Sequence, residues 1–283
     1  MQFEFGQKVI DILRGKKPKV YTISASRRRA KKLIQNKNID KKQNFSIIIT
    51  TYDKRFEKYL IPLIKKIRED FKGEIILTIN GNYDETFNEE YRKNLCQFLS
   101  TVDNVYPIFF TEFRSLGKMW NCGIINSSKD NVLVLNDDLI ITDKCFWDDL
   151  ENAIIQSNEH SFKINGSWSH IYFTKQEVDD IGYFDERFLS IGWEDNDFES
   201  RYYLKYNKFL NCINGIRGID NVSDEEDCCV NQKSTGEDKY SLFNRRFYEN
   251  KYESTLTKRV IQIIPDEQQY PYEKFYREHK AEL

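Results

Sequence analysis

The sequence predicts an α/β fold built around a mainly parallel sheet. Short runs of apolar and β-branched residues recur along the chain, and segments with helical periodicity separate them. This alternation is typical of βαβ units, in which consecutive strands lie parallel. One run, residues 132–135, is apolar without interruption, which predicts a strand that is buried on both faces.

The predicted elements begin at Asn44, where a highly charged N-terminal sequence gives way to an apolar run. Strands are predicted at residues 45–52, 73–82, 105–113 and 132–138, and helices at residues 55–70, 88–102 and 115–128. The first helix has an apolar face with intervals of three and four residues, made by Phe56, Tyr59, Leu60, Leu63, Ile64 and Ile67. Pro62 lies within this helix and predicts a kink or a break.

The second half of the chain adds one strand, one helix and a polar segment. Residues 165–173 predict a strand in which Trp168 and His170 alternate with two serines, so that one of these pairs faces a cleft. A helix is expected from Asp195 onwards. Residues 221–238 are polar, acidic and poor in aliphatic side chains, and we expect them to form a loop that closes as a lid.

Composition excludes several classes of protein. No stretch of the 283 residues approaches the ~20 apolar residues of a transmembrane helix. The first twenty residues lack the apolar run and cleavage site of a signal peptide, so we expect a cytoplasmic protein. The six cysteines contain no CxxC pair, which argues against structural zinc. Cys228 and Cys229 are adjacent, and a reducing cytosol favours free thiols over a redox pair.

The charge is distributed unevenly between three predicted regions. Residues 1–43 carry thirteen lysine and arginine residues against three acidic ones, a net charge of +10. This basic extension suits contact with an anionic membrane surface or a partner, or it forms a solvated helical prefix. Residues 44–253 form the predicted main domain and residues 254–283 a helical or extended tail. The acidic body and the lack of a binding motif argue against nucleic acid as a partner.

Polar residues lie where three predicted strands end. Residues 50–52, Asn80 and residues 136–138 occupy these positions, and parallel sheets bind ligands at the carboxyl ends of their strands. Asp137 and Asp138 would repel each other if they were buried unpaired. A Mg²⁺ or Mn²⁺ ion shared with a substrate phosphate would relieve the repulsion. The alternative is a pair of solvated loop acids.

Five segments together resemble a known family. They are SIIITTYDKR, EIILTINGN, RSLGKMWNCGIINSSKDNVLVLNDD, GYFDERFLSIGWEDNDFESRY and SLFNRRFYENKY. Their order and content are similar to those of the GT-A fold glycosyltransferases, especially the inverting family 2, from about Phe45 to Tyr252. The fourth segment is the most specific, because its G-x-F-D-E-x-F and E-D-x-D-x-x-x-R patterns both match.

The resemblance implies the donor side of a site. Asp138 corresponds to a metal ligand, and Asp137 to a contact with the metal or the ribose. The nucleotide would lie against Thr50, Thr51, Tyr52, Asn80 and Asn136. Arg114 and Lys118 would reach the diphosphate, unless they are ordinary solvated cations. The implied cofactor is Mn²⁺ or Mg²⁺, and the implied donor a nucleotide-sugar, with UDP favoured.

The same resemblance implies the acceptor side. Inverting transfer needs a carboxylate that takes the proton of the acceptor hydroxyl. By motif position Asp195 is this base, and Glu194 holds an acceptor hydroxyl. Trp193 offers a face for a sugar ring or belongs to the core, and Trp168 and His170 lie on the acceptor strand. A single histidine is more often structural than catalytic. Asp197 and Arg201 are expected to pair along a charged helix face.

Three departures and two rival functions qualify the resemblance. The metal motif reads NDD, so Asn136 replaces its first carboxylate; Asn80 replaces an aspartate that contacts the base; and no histidine matches the late metal ligand of some members. The expected activity is hexosyl or N-acetylhexosaminyl transfer to a glycan or a lipid-linked glycan. A sugar nucleotidyltransferase would need a glycine-rich basic loop, which TTYDKRFEKY lacks. A non-catalytic glycan-binding module would not need both acidic pairs.

Overall fold

A seven-stranded sheet forms the centre of the computed structural model, which describes residues 44–81, 88–158, 160–222 and 239–252. Its elements in chain order are β1 (Ser46–Thr51), α1 (Ile61–Asp70), β2 (Ile75–Ile79), α2 (Glu89–Leu99), β3 (Val105–Phe109), α3 (Leu116–Asn126), β4 (Asn131–Asn136), β5 (Leu139–Ile141), α4 (Cys145–Gln156), β6 (Phe162–Ile164), β7 (Ser167–Thr174), α5 (Lys175–Ile181), α6 (Glu194–Tyr206), β8 (Asn211–Ile213), β9 (Ile219–Asn221) and α7 (Lys239–Tyr252). These bounds confirm the predicted alternation of strands and helices.

Several sequence predictions concern residues outside this description. They are the basic extension 1–43, the tail from residue 254, the adjacent cysteines 228 and 229, and residues 223–238 of the predicted lid. Among the residues that the structure does describe, no helix is both long enough and apolar enough to cross a bilayer.

The strand order brings the predicted ligand-binding ends together. The sheet runs β3-β2-β1-β4-β7-β6-β8, and a separate two-stranded ribbon pairs β5 with β9. Strands β3, β2, β1 and β4 are parallel, whereas β7 is antiparallel to β4. The carboxyl ends of β1, β2 and β4 therefore meet at one edge of the sheet, as the sequence predicts.

β4 is buried on both faces, as its uninterrupted apolar sequence predicts. Leu133 and Leu135 pack into one core cluster with α1 and α4, and Val132 and Val134 pack into a second cluster with α3 and α6. All four side chains are fully buried. This two-sided packing fixes the position at which the strand ends and its polar residues begin.

The segment between β1 and α1 shows the break that Pro62 predicts. Residues Asp53–Arg55 form a 3₁₀ turn and Phe56–Leu60 a π-helical turn, and regular α-helix begins only at Ile61, with the proline in its first turn. A proline is tolerated there because the amide groups of the first turn need no intrahelical partner. All six predicted apolar positions are buried. The irregular turns direct Arg55 inwards.

α3 lies close against β1 and is joined to the segment after α5. A Cβ atom at Gly123 would clash with the Ile48 side chain, so only glycine allows this approach. The buried Asn121 side chain accepts a hydrogen bond from the Phe184 amide and donates to the Phe184 carbonyl and to Glu186. Asp185 and Glu186 of the predicted motif are thereby held in the interior.

Strand β7 departs from the strict alternation that the sequence predicts. The pairing of β6 with β7 shifts register, with Lys163 opposite Ile171 but Ile164 opposite Ser167, which leaves a bulge at residues 168–170. Trp168 packs beside Phe184 and Phe198 on one face of the sheet. His170 pairs with Leu135, whose side chain lies on the other face. Trp168 and His170 therefore do not share one face.

Candidate active site

A pocket of about 200 Å³ opens at the carboxyl ends of β1, β2 and β4. It is lined by Thr50, Thr51, Tyr52, Arg55, Asn80, Phe113, Arg114, Leu116, Met119, Asn136, Asp137, Asp138, Ser190 and Ile191. A larger surface cavity of about 510 Å³ lies beside residues 101–104 and the end of α1. That cavity is at the amino ends of the strands, where parallel sheets do not place their ligands.

The carboxylate pair after β4 is buried against an arginine. Asp137 and Asp138 are 2% and 4% exposed. The Nη1 atom of Arg55 lies 2.9 Å from Asp137 Oδ1 and 2.9 Å from Asp138 Oδ2. The guanidinium also lies over the Tyr52 ring, 5.5 Å from its centroid. One positive charge thus partly compensates two adjacent negative ones.

Burial and charge act in opposite directions on this cluster. Burial raises the pKa of Asp137 to about 6, although the charge of Arg55 and its hydrogen bond lower it. Burial alone would lower the pKa of Arg55, but the two carboxylates raise it above its ordinary value. The guanidinium therefore stays charged, but one positive charge does not balance two carboxylates, so the ionised cluster has a net negative charge.

The atoms left without partners fit a divalent cation. Asp137 Oδ2, Asp138 Oδ1 and Asn136 Oδ1 are all buried and make no hydrogen bond, and each such group costs about 1–3 kcal/mol. Carboxylate and amide oxygens are the ligands that Mg²⁺ and Mn²⁺ prefer. Within the described parts of the chain, no three His, Cys, Asp or Glu residues form a metal-binding group. The other positions around a cation would fall to water and phosphate oxygens.

Asn80, Arg114 and Lys118 differ in how they meet the pocket. The Asn80 side chain accepts from the Arg114 and Gly81 amides and donates to the Arg114 carbonyl, so it fixes the segment that precedes α3. Arg114 lines the pocket. Lys118 is not among the residues that line the pocket, and it pairs with Glu186 at 3.0 Å. The structure thus brings Arg114, and not Lys118, to the pocket.

The loop between Leu189 and Trp193 joins this pocket to the second acidic pair. Ser190 and Trp193 adopt positive φ angles of 51° and 73°, and a bulky residue in this conformation costs roughly 1–3 kcal/mol. The Ser190 carbonyl accepts from the Leu116 amide at the start of α3. Asn244 of α7 accepts from the Leu189 amide and donates to the carbonyls of Leu189 and Gly192. The strained loop is therefore held from both sides.

Glu194 and Asp195 begin α6 directly after this loop, in different surroundings. Glu194 is buried, and its Oε2 accepts from the Gly192 amide at 2.6 Å. Burial and the charge of Asp195 raise the pKa of Glu194 to about 8. Asp195 is half-buried and accepts from the Asn196 amide. Burial and the charge of Glu199 raise its pKa, and Lys163 opposes them.

Of the aromatic and histidine candidates, His170 is buried, whereas Trp168 and Trp193 are half-buried. Trp193 packs against Tyr248, with ring centroids 5.2 Å apart, and Lys163 lies 5.3 Å from the centroid of Trp168. The Nδ1 atom of His170 is 2.9 Å from Ser169 Oγ, while Nε2 is buried without a partner. Burial lowers the pKa of His170 to about 4, although Asp220 and Asp138 oppose the shift. The imidazole is neutral at pH 7.

Asp197 is a structural residue rather than part of an exposed charged face. Its carboxylate is fully buried and contacts Arg201 at 2.9 Å, Lys251 at 2.5 Å and the Tyr252 hydroxyl at 2.5 Å. The predicted pair with Arg201 is confirmed, but its expected exposure is wrong. Burial would raise the pKa of Asp197, and the cations beside it lower it to about 2.

Three residues with clear roles here were not predicted as site residues from the sequence. Arg55 stands among charged residues after β1, and nothing in its spacing marks it as inward-facing. Asn244 could have been found, because it matches the asparagine of the late N-x-x-x-F-x-x-K-W pattern. Lys251 occupies the lysine position of the same pattern and lies 2.7 Å from Asp185.

No protein-family model matches the chain, and a search of curated proteins finds no match to its sequence. Solved structures do resemble it. S. aureus TarS is 18% identical, with a TM-score of 0.49, over 65% of this chain and 38% of that one. A mannosyltransferase, PcManGT from Pyrobaculum calidifontis in complex with GDP-Man and Mn²⁺, is 13% identical, with a TM-score of 0.47, over 66% and 60%.

A third structure supports the comparison of folds. GalNAc-T7 with UDP, GalNAc and Mn²⁺ is 9% identical, with a TM-score of 0.59, over 75% of this chain and 49% of that one. The chain thus spans between 38% and 60% of the three matched structures. At such low identity the likeness concerns the fold alone. The chain has the GT-A fold of nucleotide-sugar glycosyltransferases, as its sequence motifs predict.

Proposed function

We propose that this chain is a metal-dependent, inverting glycosyltransferase. It transfers a hexosyl or N-acetylhexosaminyl group from a nucleotide-sugar, with UDP favoured, to a hydroxyl of a glycan or a lipid-linked glycan. The observation that carries the proposal is the set of unpartnered oxygens of Asn136, Asp137 and Asp138 in a pocket bordered by the loop that leads to Glu194 and Asp195. The proposed acceptor side then adjoins the pocket that would hold the donor.

The donor side rests on the ends of the parallel strands. Residues 50–52 and Arg114 line the wall on which a nucleotide would lie, and Asn80 shapes that wall through the Arg114 backbone. Asp138 and Asp137 would hold the divalent cation. That cation, when bound, neutralises negative charge on the departing diphosphate. The UDP and Mn²⁺ bound to GalNAc-T7, which shares the fold, support this choice of ligands.

The acceptor side supplies the proton transfer. The acceptor oxygen bonds to the anomeric carbon as the bond from that carbon to the diphosphate breaks, and the diphosphate leaves with the electron pair. Asp195 accepts the proton of the hydroxyl, because it is half-buried, carries a carboxylate and closely follows the loop of residues 189–193 that borders the pocket. Glu194 stays largely protonated near pH 7 and can donate a hydrogen bond to an oxygen atom of the acceptor substrate.

A cytoplasmic location at a membrane surface also belongs to this proposal. The net charge of +10 in residues 1–43 suits contact with anionic lipid, and a lipid-linked acceptor would be met there.

A screen of nucleotide-sugars for Mn²⁺-dependent hydrolysis tests the function. We expect one or a few UDP-sugars to be hydrolysed slowly without acceptor, and the activity to disappear in EDTA and in Asp138→Asn. Formation of a nucleotide-sugar from a sugar phosphate and UTP would instead identify a nucleotidyltransferase. Binding of glycans without any response to nucleotides would identify a lectin-like module.

A further inference from the structure

Arg55 contacts one oxygen atom of each carboxylate in the Asp137–Asp138 pair. Its Nη1 atom lies 2.9 Å from Asp137 Oδ1 and 2.9 Å from Asp138 Oδ2. The other oxygen of each carboxylate, Asp137 Oδ2 and Asp138 Oδ1, is buried and has no hydrogen-bond partner. All three side chains are at most one-tenth exposed, so water screens their charges only weakly.

We propose that Arg55 is a built-in counterion that shares the carboxylate pair with the divalent cation and sets the affinity of the site for that cation. The inference rests on the proposed cation site at Asp137 and Asp138. Arg55 holds one oxygen of each carboxylate and leaves the other oxygen of each for the cation. It thereby keeps two adjacent negative charges together in the protein before any ligand binds.

The charge balance gives this arrangement a consequence for binding. Two carboxylates and one guanidinium carry a net charge of −1, so a divalent cation meets a positive charge beside its ligands. Charges in a buried cluster interact strongly because little water separates them. A nucleotide diphosphate brings further negative charge into the pocket. The cation should therefore bind weakly alone and much more tightly together with the nucleotide.

A purely structural role of Arg55 would lead to a different result. If Arg55 served only to orient the carboxylates, then its removal would weaken cation binding, because the ligands would lose their geometry. If it acts as a counterion, its removal frees two oxygens and one negative charge, and cation binding should strengthen. The sign of the change separates the two roles.

The test is a Mn²⁺ titration, followed by electron paramagnetic resonance, of the full chain and of Arg55→Met. We expect the variant to bind Mn²⁺ alone at least about tenfold more tightly than the unaltered protein. Arg55→Lys keeps the charge and should stay within about threefold of it. Arg68→Met is the matched control, because Arg68 binds the Phe71 and Gly73 carbonyls in a loop before β2 and should leave Mn²⁺ binding unchanged.

Thermal unfolding supplies a second readout that does not depend on activity. Mn²⁺ should raise the Tm of Arg55→Met by more than it raises that of the unaltered protein, because it replaces the missing positive charge. If Arg55→Met is unfolded in EDTA, the proposal requires Mn²⁺ to restore the folded protein. Failure of Mn²⁺ to do so, or equal or weaker Mn²⁺ binding by a folded variant, overturns the role of Arg55.

The same titration in the presence of UDP distinguishes this proposal from the proposed function. If the unaltered protein binds Mn²⁺ with UDP and Arg55→Met leaves the affinity for Mn²⁺ alone unchanged, only the counterion role is wrong. If the unaltered protein binds Mn²⁺ neither alone nor with UDP, the proposed cation site and the function built on it are wrong.

Discussion

At the scale of single residues, Glu194 makes a pH-dependent contribution to stability. Burial raises its pKa to about 8, so between about pH 4.5 and 8 the folded protein binds a proton that the unfolded chain does not. Stability from this group is present at low pH and is lost as the pH rises through that window.

Glu194→Gln should remove this loss, because a glutamine does not titrate. In the unaltered protein the free energy of unfolding should fall between pH 5 and pH 8.5. We expect this fall to be smaller in the variant, by on the order of a few kcal/mol. Denaturant unfolding at the two pH values measures the difference. Glu90→Gln, at an exposed position of α2, is the control and should follow the unaltered protein. Parallel pH profiles of Glu194→Gln and the unaltered protein would contradict the account.

Asp195 carries the proposed proton transfer, so its removal should slow the chemical step. Asp195→Asn preserves the shape but removes the basicity, and kcat should fall by at least ~10²-fold while the affinity for the nucleotide-sugar changes little. Glu194→Gln should act mainly on the KM of the acceptor. Steady-state kinetics with a fixed donor decides between them. Normal turnover by Asp195→Asn would place the base elsewhere.

The sequence predicts some site residues better than others for a physical reason. Asp137 and Asp138 follow a strand that is buried on both faces, so their position was fixed by the apolar residues before them. Arg55 lies in an irregular turn and Lys118 in a helix. In such segments, a shift of one position along the chain changes whether a side chain faces the pocket or a neighbouring residue. Lys118 accordingly pairs with Glu186, while Arg55 reaches the carboxylates.

At the scale of elements, α7 holds the loop of residues 189–193 and the start of α6 in place. Lys251 is 1% exposed and lies between Asp185, at 2.7 Å, and Asp197, at 2.5 Å. These aspartates belong to the segment after α5 and to α6. One buried lysine of α7 therefore joins the two acidic segments on either side of the loop of residues 189–193.

Lys251→Met should destabilise the protein strongly, because it removes a cation from two buried carboxylates. Loss of one partner of a buried ion pair costs about 3–5 kcal/mol. Arg245→Met on the same helix removes an exposed pair with Glu249 and should cost less than about 1 kcal/mol. Urea unfolding of both variants measures the contrast. Equal, small losses would show that the buried network adds little.

The elements themselves were largely predictable, and their irregularities were not. Strands β1, β2 and β4 follow from apolar runs, and the break near Pro62 follows from the ring of the proline. The π-helical turn and the bulge in β7 depend on contacts with distant parts of the chain. For this reason the prediction from strict alternation, which placed Trp168 and His170 on one face, was wrong.

At the scale of the whole molecule, residues 1–43 have a net charge of +10, whereas the remaining chain has a net charge of −12. If this extension anchors the protein electrostatically, each lysine or arginine near an anionic bilayer adds ~1 kcal/mol, and salt weakens the attraction. Co-sedimentation with vesicles of anionic lipid should therefore exceed that with neutral vesicles and decline at high salt. Equal binding by a chain that starts at Asn44 would leave the extension without this role.

The proposed function requires the carboxylates after β4 to bind a nucleotide diphosphate through a divalent cation. Calorimetric titration of UDP into the full chain, in Mn²⁺ and in EDTA, tests it most directly. We predict binding in Mn²⁺ that is lost in EDTA, and lost in Asp138→Asn although circular dichroism shows that the variant is folded. Equal binding of UDP in EDTA, or undiminished binding by Asp138→Asn in Mn²⁺, would contradict the account.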